Sequence, residues 1–430
     1  MQMLKRLALI LSIFVITAMI FDFNWGERNL TNEEERLFYG TDNVLIPYSL
    51  QIDSNWRQVP HEIKQHLSKL GKILFFEETP PTNPNLDKQY TILVWKYGPT
   101  IEKRHIYHYT NTKHDPFREC SVKNCRLTYN EKDLDISDLV IIHLHRTKDV
   151  QDLPPLTKRP RWQRWAFLTD ESPYHTFLSS HTKLKDYNGV FNWSMTYRMN
   201  ADIPVPYGRT TLRKESNKID LASHFMEWRR KKRSDVLISV MGSNCGSKNH
   251  RWQYVKALQN YIDVDTYGGC GTLKCPGHFG TDCHKLDNYM FYLSFENSNC
   301  DEYITEKLWW NAYHKKSIPI VMGANKRSYS TLLPPGSYIN TENFASPQAL
   351  ADYIKYLNHT TEDLFKYFSW LKDFEIHNEH GYFQSNSFHY CRACEALNYN
   401  DKSEKVYNNL EEYWSVENDC HSSWDDKELD

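Results

Sequence analysis

The chain has 430 residues, 52 Lys plus Arg against 54 Asp plus Glu, and a formal net charge of −2. That balance excludes the broad basic surface of a nucleic-acid-binding domain. Hydrophobic residues at 40% and aromatics at 14% exclude a disordered chain, and a mean hydropathy of −0.69 excludes a polytopic membrane protein.

In chain order, the first element is the uncharged run Leu7 to Phe21, preceded by Lys5 and Arg6 and followed by Asp22 and Glu27. At about 1.5 Å per residue it reaches only ~22 Å. Phe23 and snorkelling flanks extend it towards the thinner bilayers of the early secretory route. A cleaved signal peptide is the alternative, but the bulky Ile20, Phe21, Phe23 and Trp25 leave no small-x-small cleavage site. The positive flank orients residues 1–6 to the cytosol, a signal anchor to 7–23 and the rest to a lumen. Sequons at Asn29, Asn192 and Asn358 and an even count of ten cysteines suit that compartment. Residues 24–85 read as a stem: NEEERL is charged, ETPPTNPN is rich in Pro and Asn, and HEIKQHLSKLGKI has helical apolar spacing.

Beyond the stem, YTILVW (90–95), LVIIHL (139–144) and RWAFLT (164–169) have the length and residue types of buried strands. The run RRKKR (229–233) reads as a solvated connection between domains rather than a nuclear signal. The second half repeats the pattern: strand VLISVM (236–241), a polar turn GSNCGSKNH, and a helix RWQYVKALQNY with Trp252, Val255, Leu258 and Tyr261 on one face. Strands IDVDTYG, YMFYLSFE (289–296) and SIPIVMG (317–323) follow, with helix TEKLWWNAYHKK (305–316) between the last two. Such alternation predicts parallel sheets, here two α/β halves with a ligand cleft at strand carboxyl ends.

The stretch from Phe291 to Gly323 carries the strongest chemical signal. A strand enters a polar turn with Glu296, Asn297 and Ser298, and a helix starts near Thr305 with Glu306 and Lys307. A helix start with an added lysine favours an anion, and a carboxylate beside it can accept hydrogen bonds from sugar hydroxyls. A capped surface helix is the plain alternative. FYLSFENS, DEYITEK and SIPIVMG together resemble the hallmark of the α1,3/α1,4-fucosyltransferase family; ESP (171–173), FNWSMTYR (191–198) and PYG (206–208) match earlier family motifs in order. The resemblance covers about residues 88–395.

What it implies is an α/β, GT-B-like fold of two Rossmann-like domains facing a cleft, and inverting transfer of L-fucose from GDP-β-L-fucose. Residues 86–228 would form the acceptor-side domain, 234–390 the GDP-fucose-binding domain, and 391–430 a tail folding back on the first. The expected product is an α-(1,3)-fucosylated GlcNAc of a glycoprotein or glycolipid glycan. Core fucosylation of N-glycans, a protein acceptor and an inactive glycan-binding relative are the alternatives. The expected setting is a Golgi membrane, single-pass type II, with a lumenal catalytic domain and no nucleic-acid partner.

Glu171, fixed between a strand and Ser172-Pro173, falls on the family's base position; a loop glutamate in solvent is the alternative. Arg251 falls where the family binds pyrophosphate, with Ser243 and Asn244 in the turn before it. Lys307 would meet the diphosphate, and Asn297, Tyr303 and Glu306 would contact guanosine or fucose. Asp133/Asp135 and Asp263/Asp265 are DxD strings of the kind that hold Mn²⁺. With Arg and Lys already facing the leaving group, no metal site and no required cofactor are expected, Mn²⁺ stimulation being compatible. Cys391 and Cys394 form a CxxC, which in other contexts binds zinc or cycles redox; here bridges to Cys120 and Cys125 are expected. Cys270, Cys275 and Cys283 suggest a disulfide knot, leaving Cys245, Cys300 and Cys420 unassigned.

Overall fold

The computed structural model describes residues 56–81, 87–179, 181–214, 219–277 and 279–422. The expected anchor 7–23, the sequon at Asn29 and most of the expected stem lie outside them. Among the described residues no helix is long and apolar enough to cross a membrane.

The apolar runs form strands where their two faces can both be covered. β1 (Tyr90–Val94), β2 (Cys125–Thr128), β3 (Leu139–His143), β4 (Arg164–Thr169), β5 (Trp193–Thr196) and β6 (Ile203–Pro204) make a parallel sheet ordered β2-β1-β3-β4-β5-β6. Every residue of β1 and β4 is buried, which explains their unbroken rather than alternating hydrophobicity. β7 (Gly208–Leu212) leaves this half. The second parallel sheet contains β8 (Ile238–Met241), β9 (Val264–Tyr267), β10 (Phe291–Phe295), β11 (Ile318–Met322) and β12 (Ile339–Asn340), ordered β12-β11-β10-β8-β9. The chain order reverses between β8 and β10, so the crevice beyond their carboxyl ends is the topological switch point where such sheets bind ligands.

A return segment ties the halves together. β13 (Phe374–Asn378) pairs antiparallel with β7, and the helix His389–Tyr399 packs on β1, β6 and the helix Lys69–Phe76. Cys120–Cys391 and Cys125–Cys394 staple that helix to the first sheet, as the CxxC reading expects. The remaining bridges are Cys245–Cys270, Cys275–Cys283 and Cys300–Cys420, so Cys270 leaves the expected local knot for the β8 turn.

Four expectations are corrected. The stem does not run to residue 85: Leu67, Leu70, Leu74, Phe75 and Phe76 join the main core, and buried Arg57 donates to the carbonyls of Phe75, Thr331 and Thr210. An amphipathic helix next to a Pro-rich spacer finds an apolar surface and docks on it. RRKKR is not a solvated linker. Its first three residues end the helix Leu221–Lys231, Arg229 donates to Asn358, and buried Lys232 donates to the carbonyls of Asp287 and Lys315. Burial pushes the Lys232 ammonium down to about 7. The helix opened by Arg251 ends at Gln259, so Tyr261 lies outside it and is 42% exposed. The expected helix 305–316 is one α turn, Glu306–Leu308, that widens into a π-helix, Trp309–His314. Such wide turns recur at functional sites.

Candidate active site

The residues expected to bind the donor gather at the end of β10. Glu296, 1% exposed, accepts from Thr305 N at 2.8 Å, from Thr305 Oγ1 and, at 3.0 Å, from Lys307 Nζ. Lys307 Nζ also donates to Thr305 Oγ1 at 2.8 Å and lies 3.4 Å from Glu306. Burial would lower the Lys307 ammonium, but the flanking Glu296 and Glu306 outweigh it and hold the lysine above its ordinary value. Glu296 is itself raised, by burial and by the repulsion of Glu306, against the pull of Lys307. Gly323 after β11 lets this cluster close: at φ +139° it takes a backbone few other residues adopt, and a Cβ there would sit 2.6 Å from Glu296 Cβ.

Arg251 begins its helix after His250, whose φ of +56° turns the chain sharply. Its guanidinium donates to Phe295 O at 2.8 Å and Asn244 O at 2.9 Å, and its buried Nε has no partner. Burial lowers its pKa, with Glu296 and Glu306 opposing. Arg251 therefore fixes the β8 turn against the end of β10 and lies within electrostatic reach of Lys307. Ser243 and Asn244 are exposed on that turn; half-buried Asn297 accepts from Lys248 N through its carbonyl and from Ser298 through its side chain.

Glu171, the expected base, is held differently. Glu171 is half-buried one residue past Asp170 at the end of β4, and its Oε2 accepts from Tyr303 O–H at 3.0 Å. Tyr303, 2% exposed and raised well above the tyrosine range by burial, thus sits on Glu171 rather than on open donor space. Ser298 Oγ donates to Ser172 Oγ at 2.7 Å, a second link between the two halves. Beneath Glu171, Asp170 accepts from Arg104 at 2.6 Å and shares a 2.8 Å hydrogen bond with His389 Nε2; its carbonyl accepts from Tyr207 O–H. Burial would raise Asp170, but Arg104 and His389 hold it well below the usual carboxylate range.

His105, Asp170 and His389 bring ligand atoms within 4.8 Å of one another. Both Asp170 oxygens are already engaged, and His105 shares Ser387 with His389. This is an internal hydrogen-bonded ion network, which a cation could enter only by displacing Arg104. It is the feature that sequence reading missed. Asp170 and His389 are 219 residues apart, and nothing local marks either beyond the position of Asp170 beside Glu171.

Among the other expected residues, Asp265 is bound by Arg233 and Tyr289, and Asp133 by Thr128. Asp135 and Asp263 are exposed. Asn192 is corrected as a glycosylation candidate: it is 5% exposed, its Oδ1 accepts from Trp165 N and its Nδ2 donates to Lys405 O, so the amide is committed to the core. Asn358 is half-buried, and its Oδ1 accepts from Arg229.

Residues 228–414 match the glycosyltransferase family 10 (fucosyltransferase) C-terminal profile, and residues 87–208 match the fucosyltransferase N-terminal profile. The chain is 31% identical over 387 residues to glycoprotein 3-alpha-L-fucosyltransferase A of Drosophila melanogaster, covering 88% of this chain and 67% of that one. It is 34% identical over 277 residues to the Bos taurus 3-galactosyl-N-acetylglucosaminide 4-alpha-L-fucosyltransferase FUT3, covering 64% and 70%. A crystal structure of an alpha1,3-fucosyltransferase with GDP-fucose aligns over 79% of this chain and 98% of that chain, at 18% identity and a TM-score of 0.45. With both family profiles matched in order across the two sheets, the chain belongs to glycosyltransferase family 10 and is a fucosyltransferase.

Proposed function

We propose that the chain transfers L-fucose from GDP-β-L-fucose, with inversion, to O3 of a GlcNAc residue in a glycoprotein or glycolipid glycan. The observation that carries this reading is a half-buried carboxylate, Glu171, linked through Tyr303 to a second group of charges in which buried Arg251 and half-buried Lys307 lie within electrostatic reach of each other. Single displacement needs that division. The acceptor hydroxyl attacks the fucose anomeric carbon as its proton passes to Glu171, and the bond to the diphosphate breaks towards the cations. The Tyr303 hydrogen bond keeps one Glu171 oxygen oriented and leaves the other for the acceptor.

Lys307 and Arg251 neutralise the departing GDP, and Asp133 and Asp265 are engaged elsewhere. Transfer therefore has no strict need of a divalent ion, Mn²⁺ acting at most as a stimulant. GDP-fucose is a substrate, so no cofactor is required. The apolar run 7–23 with its basic flank supports a single-pass type II anchor in the Golgi membrane, with the catalytic body lumenal and Asn29 retained as a glycosylation sequon.

The test is incubation of the full chain with labelled GDP-fucose and defined glycans, with and without EDTA. Fucose on O3 of GlcNAc, with activity in EDTA within a few-fold, is the expected result. Transfer to O4 or to a protein would overturn the acceptor assignment. Complete loss in EDTA, restored by Mn²⁺, would return the DxD pairs to candidacy.

A further inference from the structure

Three aromatic side chains from distant parts of the chain meet over Arg104, the partner of Asp170. Tyr109 follows the helix Gly98–His105, Phe279 lies in the loop closed by Cys275–Cys283, and Tyr382 lies just past β13. The rings of Phe279 and Tyr382 stack with centroids 4.1 Å apart and 21° between planes, and Tyr109 stands 6.3 Å from Tyr382. All three are half-buried. Tyr382 covers the Arg104 guanidinium at 3.9 Å, Arg104 holds Asp170, and Asp170 precedes Glu171. The Tyr382 hydroxyl lies within electrostatic reach of both Glu171 and Glu306, and that of Tyr109 within reach of Glu306. The rings thus border the space between the acceptor-side carboxylate and the donor segment.

The loop that carries Phe279 is pinned there. Phe383 N donates to Phe279 O at 2.7 Å, and Asp282 receives Trp310 Nε1 at 2.9 Å and an ion pair from buried Lys315. Trp310, on the π-helix just past Lys307, stacks on Phe383 at 5.7 Å. The backbone on both sides is unusual: His108 and Tyr109 have φ of +45° and +59°, Phe383 and Gln384 +55° and +66°. Left-handed residues without glycine cost of order 1–3 kcal/mol each, and they collect where function holds a loop in place. A disulfide-closed loop has crossed from one half to contact the other: a Cβ on Gly280 would be 3.3 Å from Tyr109 Cβ.

We infer that Phe279, backed by Tyr382, and Tyr109 form an aromatic wall against which the apolar C–H face of the acceptor sugar ring packs, making the Cys275–Cys283 loop a determinant of acceptor choice. The inference rests on the fucosyl-transfer reading above. An aromatic ring offers a flat, apolar surface to the C–H face of a pyranose while leaving its edge hydroxyls free to reach a base. The charged diphosphate has its own cations at Lys307 and Arg251, on the switch point of the second sheet.

The test measures KM for a GlcNAc-containing oligosaccharide, KM for GDP-fucose, and GDP-fucose hydrolysis without acceptor, on the full chain. Phe279→Ala and, from the opposite half, Tyr109→Ala should each raise the acceptor KM roughly three- to tenfold. GDP-fucose KM and hydrolysis should stay within about twofold. Phe279→Tyr, which keeps the ring, should restore the acceptor KM. Unchanged acceptor KM in both alanine variants would overturn the wall, and a GDP-fucose KM rising in step would make it a guanine platform instead. Loss of hydrolysis in Phe279→Ala alone leaves Tyr109→Ala to decide. A wild-type chain that neither hydrolyses nor transfers GDP-fucose would sink the fucosyl-transfer reading itself.

Discussion

The proposed donor and acceptor sides of the site are built on different plans. On the donor side, Glu296, Thr305, Glu306 and Lys307 come from one stretch of chain and hold one another, with Arg251 bracing the neighbouring turn. On the acceptor side, Glu171 depends on groups scattered from Arg104 to His389 and on Tyr303 from the other half. A contiguous motif tolerates being carried as a unit. A carboxylate held by distant partners is only as well placed as the whole fold that brings those partners together.

Replacement of each charged group breaks the comparison most sharply. Glu171→Gln keeps size and hydrogen bonding but cannot take a proton, so turnover should fall ~10²–10⁴-fold while GDP affinity changes only a few-fold. Wild-type turnover in this variant, measured beside GDP binding by calorimetry, would place the base elsewhere. Lys307→Ala should cost roughly 10²–10³ in turnover and weaken GDP-fucose binding as well, because in the proposed reaction its charge faces the diphosphate before and during departure. Unaltered donor affinity would confine Lys307 to neutralising Glu296.

Acid should separate the sides next. His105, His143, His380 and His389 are all lowered from the ordinary histidine value, in each case by burial first, with His143 down to about 3. Below pH ~6.5 the unfolded chain takes up protons that these buried rings refuse, so stability falls as pH falls, by up to ~1.4 kcal/mol per unit for each ring. Lys307, raised by its carboxylates, loses its contribution only as pH rises through its folded value, so acid leaves it intact. Melting temperature should drop steadily from pH 7.5 to 5.5 at a slope of more than one proton; a flat profile would mean the histidines are solvated. The smallest effect sharpens the role of one hydroxyl. Tyr303→Phe should lower turnover about tenfold, the worth of one hydrogen bond to a charged group, with GDP-fucose KM unchanged. A raised donor KM would put Tyr303 on the sugar nucleotide, as its place in the motif first implies.

The same contrast explains what could be read from sequence. YTILVW, RWAFLT and the strands of the second half were legible because double burial imposes unbroken apolar runs, and Glu171, Arg251 and Lys307 stood out as candidates because each sits in a recognisable local string. RRKKR and Asn192 misled for one reason: charge and sequon describe a residue's chemistry, whereas its solvent exposure is decided by segments far along the chain. Lys232 is covered by the carbonyls of Asp287 and Lys315, Asn192 by Lys405. The network under Glu171 was silent for the same reason.

The pairing of β7 with β13, and of Cys120 and Cys125 with Cys391 and Cys394, imposes an order of events during synthesis. These cysteine pairs are separated by 271 and 269 residues. At about 5–20 residues per second, Cys120 and Cys125 emerge roughly 15–50 s before the helix that carries their partners, with the rest of the first sheet following in that interval. During that interval its apolar face is exposed, and Cys120 and Cys125 have no native partner. The segment that completes the first domain is made long after that domain's sheet, so a truncation that removes the helix His389–Tyr399 damages the N-terminal half.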